Sequence, residues 1–322
     1  MTRILQDGLV VAGFGRHVMV ETDAGERIIC HPRGKKNTAV VGDRIKWLPT
    51  EDEGTIEKLE PRKNLFYRQD EIRTKSFAAN LDQILILIAA EPEFSESQLS
   101  RALIAAEAEH ITPIIALNKS DLKMPFDKAW ARLQPYKDMG YNLVSMALKP
   151  KNPSLDNDAE TVDLQVVGHQ VEFLMSLLQG KTTLVLGPSG AGKSTLINAV
   201  VPNATVFTQE ISQALNSGKH TTTSTTWYWV DALKTTAIID SPGFQEFGLN
   251  HIEASHLASY MPDFKVHVPN CKFYNCSHLH EPGCGVLASM KSDEIRSSNG
   301  KISFERYRIY SSLYAELSEV RY

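Results

Sequence analysis

One octapeptide constrains this 322-residue chain more than any other feature of its sequence. Residues 187–194 read Gly-Pro-Ser-Gly-Ala-Gly-Lys-Ser and match the pattern G-x4-G-K-[ST] in full. A strand-like segment precedes them and an apolar, helix-like segment follows, which is the context that this pattern needs in order to cradle phosphates. Glycines allow backbone N–H groups to converge on phosphate oxygens without obstruction by a Cβ atom. The chain is therefore expected to contain an α/β domain built around a nucleotide.

The phosphate loop suggests roles for its polar side chains. Lys193 is expected to reach the β- and γ-phosphates and to act in catalysis, and the Ser194 hydroxyl is expected to ligate magnesium. The alternative, a glycine-rich turn with an ordinary lysine, does not require the full pattern. The predicted nucleotide contacts in this loop are Gly187, Pro188, Ser189, Gly190, Ala191, Gly192, Lys193, Ser194 and Thr195.

Two further segments point at the terminal phosphate. Residues 240–243, Asp-Ser-Pro-Gly, end another strand-like segment. Asp240 is therefore expected to hold magnesium through water, and the Gly243 amide to meet the γ-phosphate. Residues 218–223, Gly-Lys-His-Thr-Thr-Thr, lie between the two motifs, and their hydroxyls are expected to close over the magnesium ion. Thr222 is the candidate ligand and catalytic residue there, and a threonine-rich sheet edge is the alternative.

Residues 118–121, Asn-Lys-Ser-Asp, follow a buried strand-like segment and have the chemistry to recognise guanine. The Asp121 carboxylate accepts two hydrogen bonds, from N1–H and from the amino group on C2, and adenine has no such pair of donors. A site of this kind rejects the wrong base by roughly ten-thousandfold, because its own polar groups would stay unpaired. Lys119 is expected to pack along the base, Asn118 to tie this loop to the phosphate loop, and Ser120 to complete the site.

The order of these motifs is inverted relative to ordinary GTPases, in which the phosphate loop comes first. Here the guanine motif precedes that loop by about 70 residues. Both motifs end buried strands, so one site can form if the chain is circularly permuted, which folds tolerate where the original termini lie close together. Helix-like segments alternate with these strands, and Ser97 is the candidate N-cap of the first of them.

The first 70 residues have a different pattern. Short alternating stretches, punctuated by Gly, Pro and Asp roughly every 8–12 residues, predict a small Greek-key barrel such as the OB-fold. Residues 27–46 carry six basic residues against one acid, Asp43, in a protein of net charge −4. This basic face suits a nucleic acid partner, and a structural barrel with a solvated edge is the alternative.

Three of the four cysteines lie within 14 residues near the end of the sequence. A disulfide framework would leave one thiol of this cluster unpaired, so metal binding is the better interpretation. Three thiolates and one imidazole form a Cys3His set, which suits structural zinc. The candidate ligands are Cys271, Cys276 and Cys284 with either His278 or His280. The fourth cysteine, Cys30, stands alone and is expected to be a core residue.

These motifs, in this order, resemble the circularly permuted ribosome-assembly GTPases of the RsgA/YjeQ type over nearly the whole chain. The matching residues are 118–121, 187–195, 218–223, 240–244 and 271–284. The resemblance implies an N-terminal OB-fold-like barrel (1–72), a central α/β circularly permuted P-loop GTPase domain (73–249) and a small C-terminal zinc-binding domain with helices (250–322). It also implies His278 as the fourth zinc ligand, with one structural zinc per chain and magnesium bound with GTP.

The same resemblance implies a function and partners. The protein would hydrolyse GTP to GDP and phosphate in late maturation of the bacterial small ribosomal subunit, with stimulation by that subunit. It would bind the subunit and its rRNA through the barrel and zinc domains. Phe244 stands where many GTPases carry a water-orienting Gln, so His220 is the catalytic candidate, as is suspected for the histidine of similar proteins. Lys219 stands where relatives commonly show Arg, which puts a bidentate role there in doubt.

The sequence also predicts where the protein acts and leaves two other functions open. Its apolar runs are far shorter than the roughly 20 residues of a membrane-spanning helix, and its N-terminus lacks a signal-peptide core. We expect a cytoplasmic monomer without membrane contact. One alternative is an enzyme that uses ATP, in which Asn-Lys-Ser-Asp is a coincidence. The other is an RNA-binding module whose nucleotide gates affinity with little turnover.

Overall fold

The computed structural model describes residues 4–15, 17–34, 39–50, 53–69, 74–148, 164–202, 204, 225–242, 247–291 and 302–319. Its first five strands are β1 (Gln6–Phe14), β2 (His17–Glu21), β3 (Arg27–Pro32), β4 (Arg44–Pro49) and β5 (Gly54–Leu59). They are paired in the order β1-β2-β3-β5-β4, and β4 pairs back with β1, which closes a barrel. The pair β3–β5 is parallel and the others are antiparallel. The predicted small β-barrel is confirmed, with five strands.

Side chains fill the interior of this barrel. Its buried core consists of Val10, Val18, Val20, Cys30, Ile45, Trp47 and Ile56. Glycine is required at position 54, because a Cβ there would lie 2.5 Å from the Cys30 sulfur. Cys30 is fully buried, and burial raises the pKa of its thiol to about 12. The thiol is therefore a core group and not a reactive one.

A separate hairpin follows the barrel and consists of β6 (Leu65–Gln69) and β7 (Thr74–Ala79). Phe66 and Phe77 of this hairpin pack on Phe247, with ring centroids 5.7 and 6.0 Å from it. Gln69 also forms a β-bridge with Leu249. The hairpin thus anchors the chain just after the Asp-Ser-Pro-Gly motif.

The central domain is a largely parallel sheet with helices. Its elements are β8 (Gln83–Ala89), α1 (Glu96–Ala108), β9 (Thr112–Asn118), α2 (Lys123–Asp138), β10 (Asn142–Ser145), α3 (Leu164–Leu178), β11 (Thr182–Leu186), α4 (Lys193–Val200), β12 (Thr226–Trp229) and β13 (Ala237–Asp240). The strand order is β10-β9-β8-β11-β13-β12, and only β12 pairs antiparallel to its neighbour in this row. The parallel strands end at one edge, where open α/β sheets bind ligands. The predicted α/β domain is confirmed.

Helix α1 begins earlier than the sequence suggested. Its N-cap is Ser95 and not Ser97, because the Ser95 backbone is extended and its hydroxyl accepts a hydrogen bond from the Gln98 N–H at 3.3 Å. Ser95 and Gln98 have the spacing of a capping box, which accounts for the starting point. Both serines precede the same apolar stripe, so periodicity alone does not separate them.

Strand pairing and one buried carboxylate join the barrel to the central sheet. Ala12 of β1 pairs with Thr226 of β12, so the strands of both domains form one sheet of 11 strands. Glu21, 5 % exposed, accepts hydrogen bonds from Trp229 Nε1 at 2.9 Å and Lys234 Nζ at 2.6 Å. Burial would raise the pKa of Glu21, but its donors hold it below the ordinary value. The carboxylate therefore fastens the barrel to the β12–β13 hairpin.

The C-terminal part packs short helices around the cysteine-rich loop. It contains 3-10 segments at Ala254–Tyr260 and Val268–Asn270, and the helices α5 (Pro262–Lys265), α6 (Gly285–Lys291) and α7 (Phe304–Ser318). Arg306 of α7 makes two hydrogen bonds to Asp263, of 2.8 and 3.0 Å, and one to the Ser100 hydroxyl of α1 at 2.7 Å. This buried arginine docks α7 on the central domain. Among the described helices, none has both the length and the apolar character needed to cross a membrane.

Substitution of Ala for Asp263 is expected to lower the free energy of unfolding by about 3–5 kcal/mol, because Arg306 would stay buried without its carboxylate. Arg306 is only 4 % exposed, so water cannot replace the lost partner. Urea unfolding followed by circular dichroism measures the change. The control is Glu305→Gln, which breaks an exposed ion pair with Arg308 on the same helix and should cost at most about 1 kcal/mol. Equal costs for the two variants would contradict the role given to Arg306.

Candidate functional site

The phosphate loop connects β11 to α4 at the carboxyl edge of the sheet. Gly187 lies against β8, since a Cβ on it would come within 2.2 Å of the Leu87 carbonyl oxygen. Gly190 and Gly192 have φ angles of +80° and +105°, a region that residues with a Cβ disfavour. The loop therefore wraps the N-terminus of α4, whose unpaired N–H groups and dipole favour an anion.

Lys193 lies over this loop as the first residue of α4. Its Nζ donates hydrogen bonds to the carbonyls of Gly187 at 2.8 Å and Pro188 at 3.2 Å. Burial lowers the pKa of Lys193, and the charge of Asp240 opposes that shift. Phosphate oxygens are acceptors that can take the place of these two carbonyls. The next residue, Ser194, is exposed.

Asp240 ends β13 on the strand next to the phosphate loop, in register with Val185 of β11. Burial raises its pKa to about 6, while Lys193 lowers it in part. The Asp240 Oδ1 is buried and has no hydrogen-bond partner among the residues described. A buried carboxylate oxygen in that condition invites a cation, and oxygen ligands are those that magnesium prefers. Asp240 and the Ser194 hydroxyl therefore fit a magnesium ion.

The guanine motif follows β9 and is hydrogen-bonded to the phosphate loop. Asn118, 4 % exposed, donates from Nδ2 to the Ala191 carbonyl at 2.9 Å and accepts at Oδ1 from the Leu148 N–H at 3.1 Å. Lys119 has φ of +69°, which turns the chain sharply after the strand. The Asp121 Oδ1 is buried, and the described part of the chain offers it no hydrogen bond. Two motifs far apart in sequence thus lie side by side.

A further segment borders the guanine motif, and sequence reasoning missed it. After β10, the Met146 carbonyl accepts a hydrogen bond from Ser120 N–H at 2.9 Å. The Ala147 N–H donates to Gln170 Oε1 of α3 at 2.9 Å, and the next N–H reaches the asparagine of the motif. Residues 146–148 carry no polar side chain, so no motif marks them. The one feature of the sequence that could have indicated them is the short apolar stretch before them, which is compatible with a strand ending at the same sheet edge as β9.

Some predicted site residues cannot be placed. His220, Thr222 and Gly243 lie outside the described residues, and so do Lys219 and Phe244. The remaining predicted nucleotide contacts lie in residues 118–121, in residues 187–195 and, for Asp240, at the end of β13.

The candidate zinc ligands come together in the C-terminal part. One donor atom each from Cys271, Cys276, His278 and Cys284 lies within 4.8 Å of the others. His278 Nδ1 is 3.5 Å from the sulfurs of Cys271 and Cys284. Ligand atoms of a tetrahedral zinc ion with bonds of about 2.3 Å lie roughly 3.8 Å apart. The distances of 3.5 Å are close to that value. His280 is exposed and does not belong to the group. The Cys3His donor set fits structural zinc.

Groups around the cluster hold the metal loop in place. The hydroxyls of Tyr307 and Tyr310 on α7 donate to the carbonyls of His278 at 3.1 Å and Ser277 at 2.8 Å. Glu281 accepts from the Ser277 N–H at 2.8 Å. Burial would raise the pKa of Glu281, but hydrogen bonds from the serine hydroxyl and backbone hold it at about 2. Such surrounding hydrogen bonds orient metal ligands.

A protein-family model described as RsgA GTPase matches residues 59–250 of this chain. The match includes both nucleotide motifs and spans more than half of the sequence. The match does not extend over most of the barrel or over the Cys3His cluster. Similarity in those two parts has to be judged from relatives that align along the full chain.

Such relatives exist. A protein of Variovorax paradoxus (strain S110), named Small ribosomal subunit biogenesis GTPase RsgA, is 65 % identical over 320 residues, which cover 99 % of this chain and 95 % of that protein. A protein of the same name from Paraburkholderia phytofirmans is 45 % identical, over 97 % of this chain and 94 % of that protein. The similarity therefore includes the barrel and the cysteine-rich part.

Two solved structures share the fold along almost the entire chain. YjeQ from Thermotoga maritima has a TM-score of 0.68 at 28 % identity, with 99 % of this chain and 100 % of that one covered. YloQ, described as a circularly permuted GTPase, has a TM-score of 0.65 at 25 % identity, with 99 % and 98 % covered. The inverted motif order, the family match and the full-length relatives lead to one conclusion: the chain belongs to the RsgA GTPase family, a family of GTP hydrolases.

Proposed function

We propose that this protein hydrolyses GTP during late maturation of the small ribosomal subunit and that the subunit stimulates the reaction. The observation that carries the nucleotide part is the hydrogen bond between Asn118 and the Ala191 carbonyl, which joins the guanine motif to the phosphate loop. The relatives' name, Small ribosomal subunit biogenesis GTPase, supports the partner.

The Asp121 carboxylate, which has one buried oxygen, supports recognition of guanine. Its Oδ1 has no hydrogen bond from the described residues, so a base that donates two hydrogen bonds would satisfy it. The stem of Lys119 packs along the base in this proposal. Asn118 keeps the base-binding loop at a constant distance from the phosphate loop. Adenine would leave the carboxylate buried and unpaired, which is the source of the discrimination.

The phosphates lie in the loop 187–195, where backbone N–H groups and Lys193 bind their oxygens. Ser194, Asp240 and Thr222 would hold the magnesium ion, which when bound neutralises charge on the β- and γ-phosphates. His220 is proposed to orient the attacking water. Phe244 cannot do so, because its side chain has no hydrogen-bonding atom, and the intrinsic rate should accordingly be low.

The barrel supplies a basic surface for rRNA in this proposal. Arg33 is 74 % exposed in its side chain, although it contacts Glu57, and Arg44 is also exposed. Lys46 pairs with Asp7. Exposed cations of this kind bind a phosphate backbone without reading its sequence, so binding should weaken with salt. The zinc domain is the second proposed contact.

Several finer features stay predictions. They are the domain bounds 1–72, 73–249 and 250–322, one zinc ion per chain, a monomeric state, a cytoplasmic location and the absence of membrane contact.

The test is the rate of GTP hydrolysis by the purified protein, alone and with purified small ribosomal subunits, with ATP as the control. We expect a slow basal rate, a rise of about tenfold or more with subunits, and no turnover of ATP. Turnover of ATP would instead support a P-loop ATPase. Tight RNA binding that depends on GTP, with no turnover under any condition, would support the nucleotide-gated RNA-binding module. An unchanged GTP rate would reject the subunit as the activator.

Lys193→Ala is expected to lower the rate constant for GTP hydrolysis by about 100-fold or more, because it removes a positive charge where negative charge develops. The fold should stay intact, because the hydrogen bonds described for the Lys193 Nζ are to two carbonyls of the phosphate loop and not to side chains of the core. Single-turnover hydrolysis and circular dichroism measure the two effects. Lys181→Ala, at the opposite end of β11, is the matched control and should hydrolyse GTP normally. Normal hydrolysis by the Lys193 variant would mean that the site is misplaced.

A further inference from the structure

The metal loop presents two adjacent aromatic rings to solvent. Tyr274 is fully exposed, at 102 %, and Phe273 is 40 % exposed. Lys272 and Asn275, on either side of them, are exposed as well. In the described residues this is the one place where two exposed aromatic side chains are neighbours in sequence. Burying such a ring is worth about 1.5–3 kcal/mol, so leaving both in water forgoes stability and calls for a reason.

The loop that carries these rings is held in one shape. Cys271 and Cys276, at its two ends, belong to the Cys3His group. The Lys272 N–H donates to the Gly283 carbonyl at 2.9 Å. Gly283 has φ of +76° and approaches so closely that a Cβ on it would lie 3.1 Å from the Lys272 Cβ. A surface that is rigid before binding loses less conformational entropy when a ligand arrives.

The charge around the rings is positive. The Lys272 Nζ lies 5.5 Å from the centre of the Phe273 ring, and Lys265 on α5 is also exposed. Between residues 265 and 283, all of them described, the sole acid is Glu281. Its carboxylate already accepts hydrogen bonds from the Ser277 backbone and hydroxyl. Residues 265–283 therefore present flat apolar rings together with an ammonium group, and the one carboxylate among them is already hydrogen-bonded.

We propose that Tyr274 and Lys272 form a binding site for an unpaired RNA nucleotide, whose base stacks on the tyrosine ring and whose phosphate lies against the ammonium group. Stacking needs no particular base, so the site should tolerate any sequence. Helical RNA keeps its bases stacked inside, so the ligand must be single-stranded. The inference deepens the proposed function, on which it rests for the presence of an RNA partner.

The test uses the full-length, zinc-loaded protein and a labelled oligouridine of about ten nucleotides, a length typical of single-strand sites. Fluorescence anisotropy gives the dissociation constant. Tyr274→Ala should weaken binding about tenfold, because one stacked base contributes of that order. Tyr274→Phe keeps the ring and should stay within about twofold of wild type. Lys272→Ala should weaken binding and reduce its dependence on salt.

Two further variants separate stacking from damage to the loop. Phe304→Ala removes a ring that is 76 % exposed on α7 and is the matched control, which should bind like wild type. Tyr274→Trp places a fluorophore in the site, and bound oligouridine should quench it. Zinc content and thermal unfolding, measured for every variant, show that the metal loop has remained folded.

Three results would overturn the inference. The first is equal oligouridine affinity for Tyr274→Ala and wild type. The second is no measurable oligouridine binding by wild type. The third is a Tyr274→Ala variant that loses affinity for intact small subunits but not for the RNA extracted from them, which would make Tyr274 a protein-docking residue.

The outcome is separable from that of the proposed function. Binding of oligouridine that depends on Tyr274, without stimulation of GTP hydrolysis by subunits, would support the stacking site and reject the subunit role. In the opposite result, subunits stimulate Tyr274→Ala as strongly as wild type, and the two proteins bind oligouridine equally. That result would support the subunit role and reject the stacking site.

Discussion

Asp121→Asn is expected to abolish binding of GDP and GTP and to create affinity for xanthine nucleotides. The aspartate carboxylate offers two acceptors to the two donors of guanine, at N1 and at the amino group on C2. The asparagine amide offers one acceptor and one donor. Xanthine matches that pair, since it has N1–H and a carbonyl at C2. The same substitution therefore removes one ligand and admits another.

The expected loss of affinity is large because one oxygen of the Asp121 carboxylate is buried. The Asp121 Oδ1 is buried and has no hydrogen bond from any residue that the structure describes, so no described side chain already satisfies it. In Asp121→Asn the amide NH2 would face the amino group of guanine, so two donors would oppose each other, and affinity should fall by roughly ten-thousandfold. Isothermal titration of wild type and variant with GDP, ADP and xanthosine diphosphate measures the three affinities.

The matched control is Asp127→Asn, the same carboxylate-to-amide change six residues further along, on the exposed face of α2. It should bind GDP like wild type. Retention of GDP binding by Asp121→Asn, without any gain for xanthosine diphosphate, would show that another group reads the base. Binding of ADP by wild type as tight as that of GDP would show that the site does not select guanine.

Cys276→Ser is expected to release zinc and to open the metal loop while GDP binding stays within about twofold of wild type. Residues 271–284 contain no helix or strand, so their backbone depends on the ion and on a few hydrogen bonds, such as those from the Tyr307 and Tyr310 hydroxyls. Structural zinc contributes about 10–16 kcal/mol to the folding of small metal modules, far more than such a loop can gain by burial. The nucleotide site lies on other elements and should be unaffected.

Zinc content by atomic absorption and hydrogen exchange along the chain check this expectation. Exchange should rise in residues 268–291, where the hydroxyls of Tyr307 and Tyr310 would lose the carbonyls that they now bind. His280→Ala is the control, because this exposed histidine stands outside the cluster, and it should keep one zinc per chain. A Cys276→Ser protein that retains stoichiometric zinc would mean that the ligand set is different.

Local chemistry made the two nucleotide motifs and the cysteine cluster readable in the sequence. A phosphate loop needs glycines at set positions and a lysine, and a guanine-binding motif needs an aspartate at a set distance from an asparagine. Each signal therefore lies within a few residues. The alternation of short strands likewise predicted the barrel, since every second residue of a strand faces the core. A permuted domain could be inferred because both motifs end buried strands.

Contacts between distant segments could not be read in this way. Residues 146–148 border the guanine motif through backbone atoms alone, which leave no mark in the side-chain pattern. Strand register between the two domains sets the pairing of Ala12 with Thr226. The same register brings the donors of Trp229 and Lys234 to Glu21. No local periodicity specifies that register, because it is set by which strands meet after folding.

The sequence by itself determined the presence of a phosphate loop, a guanine-binding aspartate and a Cys3His ligand set, and it predicted the barrel. The tertiary structure decided where they stand. It separated His278 from His280 by burial, chose Ser95 over Ser97 by backbone conformation, and buried Arg306 between α7 and the central domain. The physical reason is that motif chemistry is short-range along the chain, whereas burial and hydrogen-bond partners depend on packing between segments that are far apart in sequence.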